Sequence, residues 1–262
     1  MKPKYFDIHS HLDFKDFNED RDLIIDQMKR ENLWTICVGV DKETSNSSVD
    51  LASKHENIFA TVGVHPTDNP DDWDEQYFED IINNSEKVVG IGECGLDYFR
   101  LKETDADIKL KQKELFIKHI KLAIKHNLPM MFHFRPKEGS MDAYLDGLDI
   151  LEGYKGQVKG NSHFFVGNED VAKRFLDLGH TVSFDGPITF SNDYEEVIKN
   201  IPIEKIMAET DSPFAAPAPY RGKRNNPLYV KEIYSKIAEI KNLDKEVCRE
   251  ILTQNAMDFW LN

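Results

Sequence analysis

Six residues of the types that bind metal ions stand at or just past the ends of predicted strands. They are four histidines and two carboxylates: His9, His11, Glu93, His133, His163 and Asp211. One buried histidine is ordinary in a protein core, whereas packing alone does not explain six such groups that each close an apolar run. The mixture of imidazole and carboxylate suits zinc, manganese or iron and, with more carboxylate and water, magnesium. The set therefore predicts a hydrolase centre with more than one metal ion.

Two of these histidines, His9 and His11, are two positions apart in F-D-I-H-S-H-L-D. Residues i and i+2 of a strand point to the same face, so both imidazoles can reach one metal ion. Taken alone, the pair is equally well explained as a polar strand end. Glu93 follows V-V-G-I-G, where a carboxylate can bridge two cations or form an ion pair with Arg135.

The other three residues close apolar runs further along the chain. His133 and His163 end the runs P-M-M-F-H and N-S-H-F-F, and Asp211 closes I-M-A-E-T-D. A carboxylate at the position of Asp211 can bind a metal ion and also take a proton from water. Two further carboxylates, Asp97 and Glu209, are candidates for orienting a metal ligand through a hydrogen bond. Glu209 is also a candidate ligand itself.

Four more residues are candidates for contact with substrate. His65 ends the third predicted strand in V-G-V-H-P, where either a ligand or a substrate-facing role fits. Arg221, Lys223 and Arg224 follow Asp211 closely, and guanidinium groups match the geometry of phosphate. In an acidic chain these cations favour contact with an anionic substrate, and a solvated loop is the alternative interpretation.

The elements that position these residues alternate between short apolar strands and amphipathic helices. The predicted strands are Tyr5–Ile8, Thr35–Gly39, Phe59–Val64, Val88–Gly92, Met130–Phe134, Val158–Phe164, Thr181–Phe184 and Lys205–Ala208. The predicted helices are Asp20–Glu31, Trp73–Asn83, Ile108–His126, Asp142–Leu151, Asn168–Leu178, Tyr194–Lys199, Leu228–Ile240 and Lys245–Trp260. This alternation predicts a parallel sheet, and a (β/α)8 TIM barrel in one domain over residues 1–262 is favoured over a doubly wound open sheet. The six candidate ligands then lie at the carboxyl ends of the strands, where barrel active sites are found.

Composition restricts the class of protein and its partners. The formal net charge of −14 argues against a protein that holds DNA as a stable partner by its own surface charge. It leaves DNA open as a substrate, because bound cations invert the local potential of a site. Three dispersed cysteines predict reduced thiols in a cytoplasmic protein, and the sequence predicts no membrane span.

The order of these motifs resembles the TatD family of metal-dependent deoxyribonucleases over nearly the whole chain. The resemblance runs from D-I-H-S-H-L through G-V-H-P and G-E-C-G-L-D-Y to E-T-D-S-P-F and R-G-K-R-N-N-P. It implies a barrel fold and hydrolysis of DNA with divalent metal ions, two in number and of magnesium, manganese or zinc. It also implies that the six candidate ligands bind those ions and that His65 acts on the substrate side. Arg135 is a further candidate for contact with substrate.

Two segments depart from the motifs of that family. Where the family has H-C-F-S-G, this chain has His163-Phe164-Phe165-Val166-Gly167; where the family has H-S-R-E-A, it has His133-Phe134-Arg135-Pro136. The ligand positions are kept, but the walls beside them are expected to be bulkier and more apolar. The choice of substrate therefore stays open at this stage.

Three functions from different classes follow. The first is a phosphodiesterase, an exonuclease on single-stranded DNA or 3′ ends, in which Glu93 bridges two cations and Asp211 serves as ligand and general base. The second is an amidohydrolase or esterase acting on a small molecule, which the apolar Phe164–Phe165 wall favours. The third, a non-catalytic interaction protein on a hydrolase scaffold, conflicts with the intact ligand set. The sequence makes no prediction of oligomeric state.

Overall fold

Eight parallel strands follow one another in chain order around the sheet, each hydrogen-bonded to the next. The computed structural model describes residues 2–102 and 104–262. The strands β1 to β8 are Tyr5–Ser10, Leu33–Val38, Ile58–Val62, Val88–Asp97, Met130–Arg135, Gly160–Ser162, Thr181–Phe184 and Ile206–Ala208. The predicted (β/α)8 barrel is confirmed.

Nine α-helices alternate with these strands or follow them in the described residues. The helices α1 to α9 are Arg21–Arg30, Lys42–Ser53, Glu75–Asn84, Ala106–His126, Asp142–Glu152, Glu169–Asp177, Glu195–Asn200, Val230–Lys241 and Lys245–Trp260. Only α2 is absent from the sequence prediction, because K-E-T-S-N-S-S-V-D-L-A-S has few apolar residues. Its start is fixed by a capping box, in which Asp41 Oδ1 accepts from the N–H of Thr44 (2.7 Å) and Thr44 Oγ1 accepts from the N–H of Asp41 (3.0 Å).

The two ends of the sheet meet through the segment that follows β8. Ser10 and Ser212 form a parallel bridge, and the N–H of Asp211 donates to the carbonyl of His9 (2.9 Å). Below this bridge the buried carboxylate of Asp7 accepts from the N–H (2.8 Å) and the hydroxyl (2.7 Å) of Thr210. We call this pair of bonds the Asp7–Thr210 clasp. It joins residues 203 positions apart and holds His9 beside Asp211.

Apolar side chains from strands on several sides of the sheet meet in one buried cluster. Phe6 of β1, Ile36 of β2, Met131 of β5 and Met207 of β8 belong to it, and Trp260 of α9 packs against them. Strands this far apart in the order can share a cluster only inside the barrel. The lower interior is therefore filled, which leaves the polar site at the carboxyl ends of the strands.

The sequence also predicts reduced thiols and the absence of a membrane span. Cys37, Cys94 and Cys248 are buried and unpaired, as predicted for reduced thiols. Burial raises the pKa of the Cys37 and Cys94 thiols well above the usual value, which keeps them unreactive. In residues 2–102 and 104–262 we find no helix whose length and apolar character would let it cross a bilayer.

Two buried histidines outside the site make the fold sensitive to acid. His119 Nε2 accepts from the N–H of Val64 (2.9 Å), and His180 Nδ1 accepts from the N–H of Gly160 (3.1 Å). Burial lowers the pKa of each to about 4, so both rings are neutral in the folded state at pH 7. In the unfolded chain these histidines take up protons near pH 6.5. Their contribution to the free energy of unfolding is therefore fully present above that pH and is lost as the pH falls towards 4.

We therefore expect each of the two histidines to remove about 2 kcal/mol of unfolding free energy between pH 7.5 and pH 5. Urea unfolding at the two pH values measures the loss. In the His119→Gln variant the amide oxygen can still accept from Val64 and does not titrate, so the dependence on pH should become smaller by that amount. An unchanged pH dependence in this variant would contradict the assignment.

Candidate metal centre

One group of donor atoms lies where β1 meets the segment after β8. His9 Nε2 and His11 Nε2 are 3.2 Å apart, and both face Asp211 Oδ1, at 3.5 and 3.4 Å. Glu93 Oε2 completes the group at 3.5 Å from His9 and 3.8 Å from His11. All four residues are buried. The structure thus brings together four of the six predicted ligands.

The second group lies at the ends of β5 and β6 and uses the other oxygen of Glu93. Oε1 is 2.7 Å from His133 Nδ1 and 2.8 Å from His163 Nε2, and the two nitrogens are 3.2 Å apart. Each group of nitrogens therefore faces its own oxygen of one shared carboxylate.

Glu93 lies inside β4, which corrects the expectation that it follows the strand end. β4 continues to Asp97, and its register with β5 shifts between Ile91 and Cys94. Gly95 is required for this course, because its φ is +149° and an added Cβ would lie 2.1 Å from the carbonyl oxygen of His133. The sequence signal for an extended β4 was the second glycine of G-E-C-G.

Three of the histidines have their outer ring nitrogen fixed by an acceptor. His11 Nδ1 donates to the carbonyl of Val38 (3.0 Å), His133 Nε2 to Asp97 Oδ2 (3.1 Å) and His163 Nδ1 to Glu209 Oε1 (3.2 Å). Ligating histidines are commonly oriented in this way. Asp97 and Glu209 therefore orient the rings of His133 and His163. This is one of the roles considered for each carboxylate from the sequence.

These bonds decide whether the site fits cations. With its outer nitrogen carrying the proton, each neutral ring presents a lone pair inwards, so Nδ1 of His133 and Nε2 of His163 both face the carboxylate of Glu93. Lone pairs that face a carboxylate repel unless protons or cations lie between them. Imidazole and carboxylate are also the donors that zinc and manganese favour. The residues present therefore fit divalent cations.

The protonation equilibria reflect the same crowding. Burial by itself opposes charge on His163, but the carboxylates of Glu93 and Glu209 raise the pKa of this histidine well above its usual value. Burial likewise opposes charge on Glu93, yet the charge of His163 and the hydrogen bonds of His133, His163 and His9 hold its pKa well below normal. An excess of negative charge at the floor of the cavity is thus balanced by protons when cations are not bound.

His65 presents a donor to the cavity. The backbone N–H of Thr67 can only donate, and it lies 3.2 Å from His65 Nδ1, so this nitrogen is the acceptor. The proton of the neutral ring is then on Nε2, which lies 3.7 Å from Glu93 Oε1. Burial, together with the charge of His133, lowers the pKa of His65 to about 3. Although His65, Asp97 and His133 are close enough to hold an ion, this tautomer favours the substrate-facing role of His65.

The cationic residues predicted to contact substrate do not all lie at the cavity. Arg135 lines the cavity above the site, with its guanidinium 4.1 Å from the ring centroid of Phe99. The side chain of Arg224 is paired with Asp20 (Nη1–Oδ1 3.0 Å), and Arg221 lies over Phe190 (4.2 Å). Among the described residues that line the cavity, none comes from Arg221–Arg224. Phosphate contact by Arg221, Lys223 and Arg224 stays a prediction.

The apolar wall differs from the expected Phe164–Phe165 pair. Phe165 is buried in the core against Tyr144, where the family motif also has phenylalanine. Phe164 and Val166 line the cavity, and Phe164 has a φ of +44°, which is unusual for a bulky residue. Of the two segments that depart from the family motifs, Phe134, Arg135, Phe164 and Val166 line the cavity, whereas Phe165 does not.

Five of the six candidate ligands, all except the fully buried His9, line one cavity of about 1130 Å³ at the carboxyl ends of the strands. Phe14 stacks on His11 at 4.5 Å between ring centroids, and Phe214 is 52% exposed at the mouth. Two lining cations, Arg100 and Lys111, were missed by the sequence analysis. For Arg100 the available signal was its position two residues after G-E-C-G-L-D-Y, whereas Lys111 had no comparable signal.

Replacing Glu209 tests the role of the bond behind His163. Glu209 is fully buried and also accepts from the N–H of Phe164 (2.8 Å) and the hydroxyl of Ser183 (2.6 Å). We expect Glu209→Gln to keep this shape but to weaken the affinity for divalent metal by about tenfold or more, because such partners raise the basicity of a ligating ring. Calorimetric titration with Mn²⁺ or Zn²⁺ measures it. An unchanged affinity would leave Glu209 a purely structural role.

Comparison with known proteins agrees with this geometry. The sequence model of the TatD related DNase family matches residues 6–261. The metal-dependent hydrolase YabD of Bacillus subtilis is 38% identical over 257 residues, which cover 96% of each chain. The metal-dependent hydrolase YcfH of Escherichia coli K12 is 32% identical over 258 residues, covering 95% of this chain and 92% of its own.

Solved structures show the same fold. The TatD homologue YJJV of Escherichia coli K12 superposes with a TM-score of 0.87 at 22% identity, covering 99% of both chains. A TatD family hydrolase of Entamoeba histolytica superposes with a TM-score of 0.82 at 25% identity, covering 100% of this chain and 99% of its own.

Proposed function

Because this chain belongs to the family of TatD related DNases and is a metal-dependent hydrolase, we propose that its substrate is DNA and that it hydrolyses phosphodiester bonds. The proposed reaction is exonucleolytic, on single strands or 3′ ends. The observation that carries the proposal is the division of Glu93, whose two oxygens serve two separate groups of nitrogens. This arrangement suits a pair of cations held by one carboxylate.

Six residues would hold the ions. His9, His11 and Asp211 would share one cation with Glu93, and His133 and His163 would share the other with it. Divalent cations bound here would supply an activated water and neutralise charge on the attacked phosphoryl group. Everything else in the reaction falls to the side chains and backbone of the chain itself.

Asp211 and His65 are the groups that would handle protons and charge. Burial opposes charge on Asp211, but the hydrogen bond from His11 and the charges of His9 and His11 keep its pKa below the usual value. It is thus an ionised carboxylate at the cavity floor, able to take a proton from the attacking water. His65 would donate from Nε2 to a phosphoryl oxygen, as its tautomer allows.

The shape of the cavity supports single-stranded DNA or frayed ends. His9 and Glu93 are 0% and 4% exposed, so only a narrow chain can bring a phosphate to them. Phe14 and Phe214 offer aromatic faces beside the mouth, and stacking of unpaired bases on such faces is typical of proteins that bind single strands.

A second candidate, hydrolysis of a small amide or ester, is favoured by one observation. Phe164 and Val166 make one wall of the cavity apolar, which suits a compact organic substrate. The chain also superposes on a dihydroorotase of Campylobacter jejuni with a TM-score of 0.58 at 16% identity, a likeness of fold alone.

The test is a substrate panel with end-labelled single-stranded DNA, duplex DNA and RNA in Mg²⁺, Mn²⁺ or Zn²⁺, beside a minimal phosphodiester and a cyclic amide. We expect metal-dependent shortening of single-stranded DNA from the 3′ end and loss of turnover after exhaustive chelation. Turnover that survives chelation would refute the metal requirement. Rapid hydrolysis of the amide without cleavage of DNA would favour the second candidate.

A further inference from the structure

Beyond the metal centre, three cations gather at one corner of the cavity. Arg100, Lys111 and Arg135 line it together and are exposed to solvent. They flank the carboxyl ends of β4 and β5, where Asp97 and Arg135 are register partners. We call these three residues the β4–β5 cation cluster.

Backbone and side-chain bonds attach this cluster to the metal centre. Gln112, next to Lys111 on α4, accepts from the N–H of Asp97 (2.9 Å) and donates to its carbonyl (3.1 Å). Asp97 in turn holds His133 through Nε2. The second turn of α4 is thus tied to Asp97, the residue that orients the predicted ligand His133, and Arg100 follows Asp97 by three positions.

The charges of the cluster are available to a ligand. Among residues 2–102 and 104–262, we find no carboxylate within ion-pair distance of Arg100, Lys111 or Arg135. The guanidinium of Arg135 lies over the ring of Phe99. Because Phe99 is 42% exposed, the charge of Arg135 stays at the mouth of the cavity. By contrast, Arg224 in the loop after β8 already has Asp20 as its partner.

We propose that the β4–β5 cation cluster is the subsite that binds the backbone phosphates of single-stranded DNA next to the phosphate undergoing hydrolysis. This inference rests on the proposed function and adds the path along which the bound DNA strand leaves the metal centre. In an eight-stranded barrel β4 lies opposite β8, so a path across the end of β4 differs from a path over the loop from Arg221 to Arg224. In this proposal the DNA strand leaves the metal centre across the end of β4. Exposed cations in a chain of net charge −14 draw the polyanion to this corner.

The experiment compares three double variants that each remove two positive charges. Arg100→Gln/Lys111→Gln alters the cluster. Lys118→Gln/Lys121→Gln alters exposed lysines further along α4, away from the mouth, and is the matched control. Arg221→Gln/Lys223→Gln alters the loop after β8. The dissociation constant of a fluorescein-labelled single-stranded oligothymidylate is measured by anisotropy over a salt series, together with KM for its hydrolysis in Mn²⁺.

The cluster variant should weaken binding about tenfold or more, and the slope of log Kd against log salt should fall by about 1.4, since each phosphate contact to a single strand contributes about 0.7. The α4 control should change Kd by less than about twofold, because it alters only net charge. Equal effects in these two variants would overturn the proposal, as would a loss confined to the variant in the loop after β8.

The same experiment separates this inference from the proposed function. If the unaltered protein binds the oligonucleotide but hydrolyses neither it nor the minimal phosphodiester, the proposed function fails while the subsite is still judged from the three dissociation constants. If hydrolysis proceeds and the cluster variant keeps the unaltered KM and salt slope, the proposed function stands and the subsite is refuted.

Discussion

Replacement of Glu93 by alanine should lower kcat by about 10³-fold, close to 4 kcal/mol of lost transition-state stabilisation. The reason is that one carboxylate serves both groups of donor atoms, with Oε2 on the side of His9 and His11 and Oε1 on the side of His133 and His163. Removing Glu93 would therefore affect both of the proposed cation positions at once. The measurement is kcat on the minimal phosphodiester at saturating metal.

A second variant separates loss of the carboxylate from loss of volume. Glu93→Gln keeps the size of the side chain but offers an amide group in place of one oxygen, so one of the two donor groups should fail. We expect nearly the same loss of kcat, fewer bound metal ions per chain and a fold that survives by circular dichroism. Retention of more than about a tenth of the turnover by either variant would show that Glu93 does not bridge.

The second large effect is expected from Asp211→Asn, with kcat reduced by about 10²–10⁴-fold. Asp211 has a φ of +51°, a backbone conformation that asparagine adopts as readily as aspartate. The substitution therefore keeps the backbone and removes the charge and the ability to accept a proton. Its pKa lies below the usual value, so the carboxylate is ionised throughout the neutral range.

The dependence of kcat on pH separates the two roles assigned to Asp211. If it takes a proton from water, the activity of the unaltered enzyme should fall at acid pH, and the variant should lack the limb that belongs to this group. If it acts only as a ligand, raising the metal concentration should restore turnover in the variant. Near-normal turnover at ordinary metal concentration would reject both roles.

Much of the fold was predictable because hydrophobic periodicity reports burial. All eight strands were identified, seven of them with shifted ends, and all six candidate ligands lie close together. Helix α2 was missed because its residues offer little apolar periodicity, and the bonds that start it are local side-chain contacts of Asp41 and Thr44. The extension of β4 to Asp97 depends on its pairing with β5, which is a tertiary effect.

The surroundings of the site were less predictable for a related reason. Arg100, Lys111 and Arg135 are separated by up to 35 positions, and the pairing of β4 with β5 and the bonds between Gln112 and Asp97 bring them to one side of the cavity. Arg224 looked free in the sequence, whereas its partner Asp20 lies 204 positions away. Phe165 was expected in the wall, but the chain turns after His163 and directs it into the core. Residue type predicts chemistry, and long-range geometry decides which residues can use it.

The Asp7–Thr210 clasp has a consequence for how the protein folds. It joins two segments separated by 203 positions, so bringing them together carries a high entropic cost and belongs to the slow class of contacts in folding. His9 and His11 stand on one side of this junction and Asp211 on the other. On a ribosome, β8 emerges after the other seven strands, which are then already available to pair. Competence to bind metal at the first group of donors should therefore be acquired after most helical structure has formed, which makes metal affinity a marker for the last stage of barrel closure.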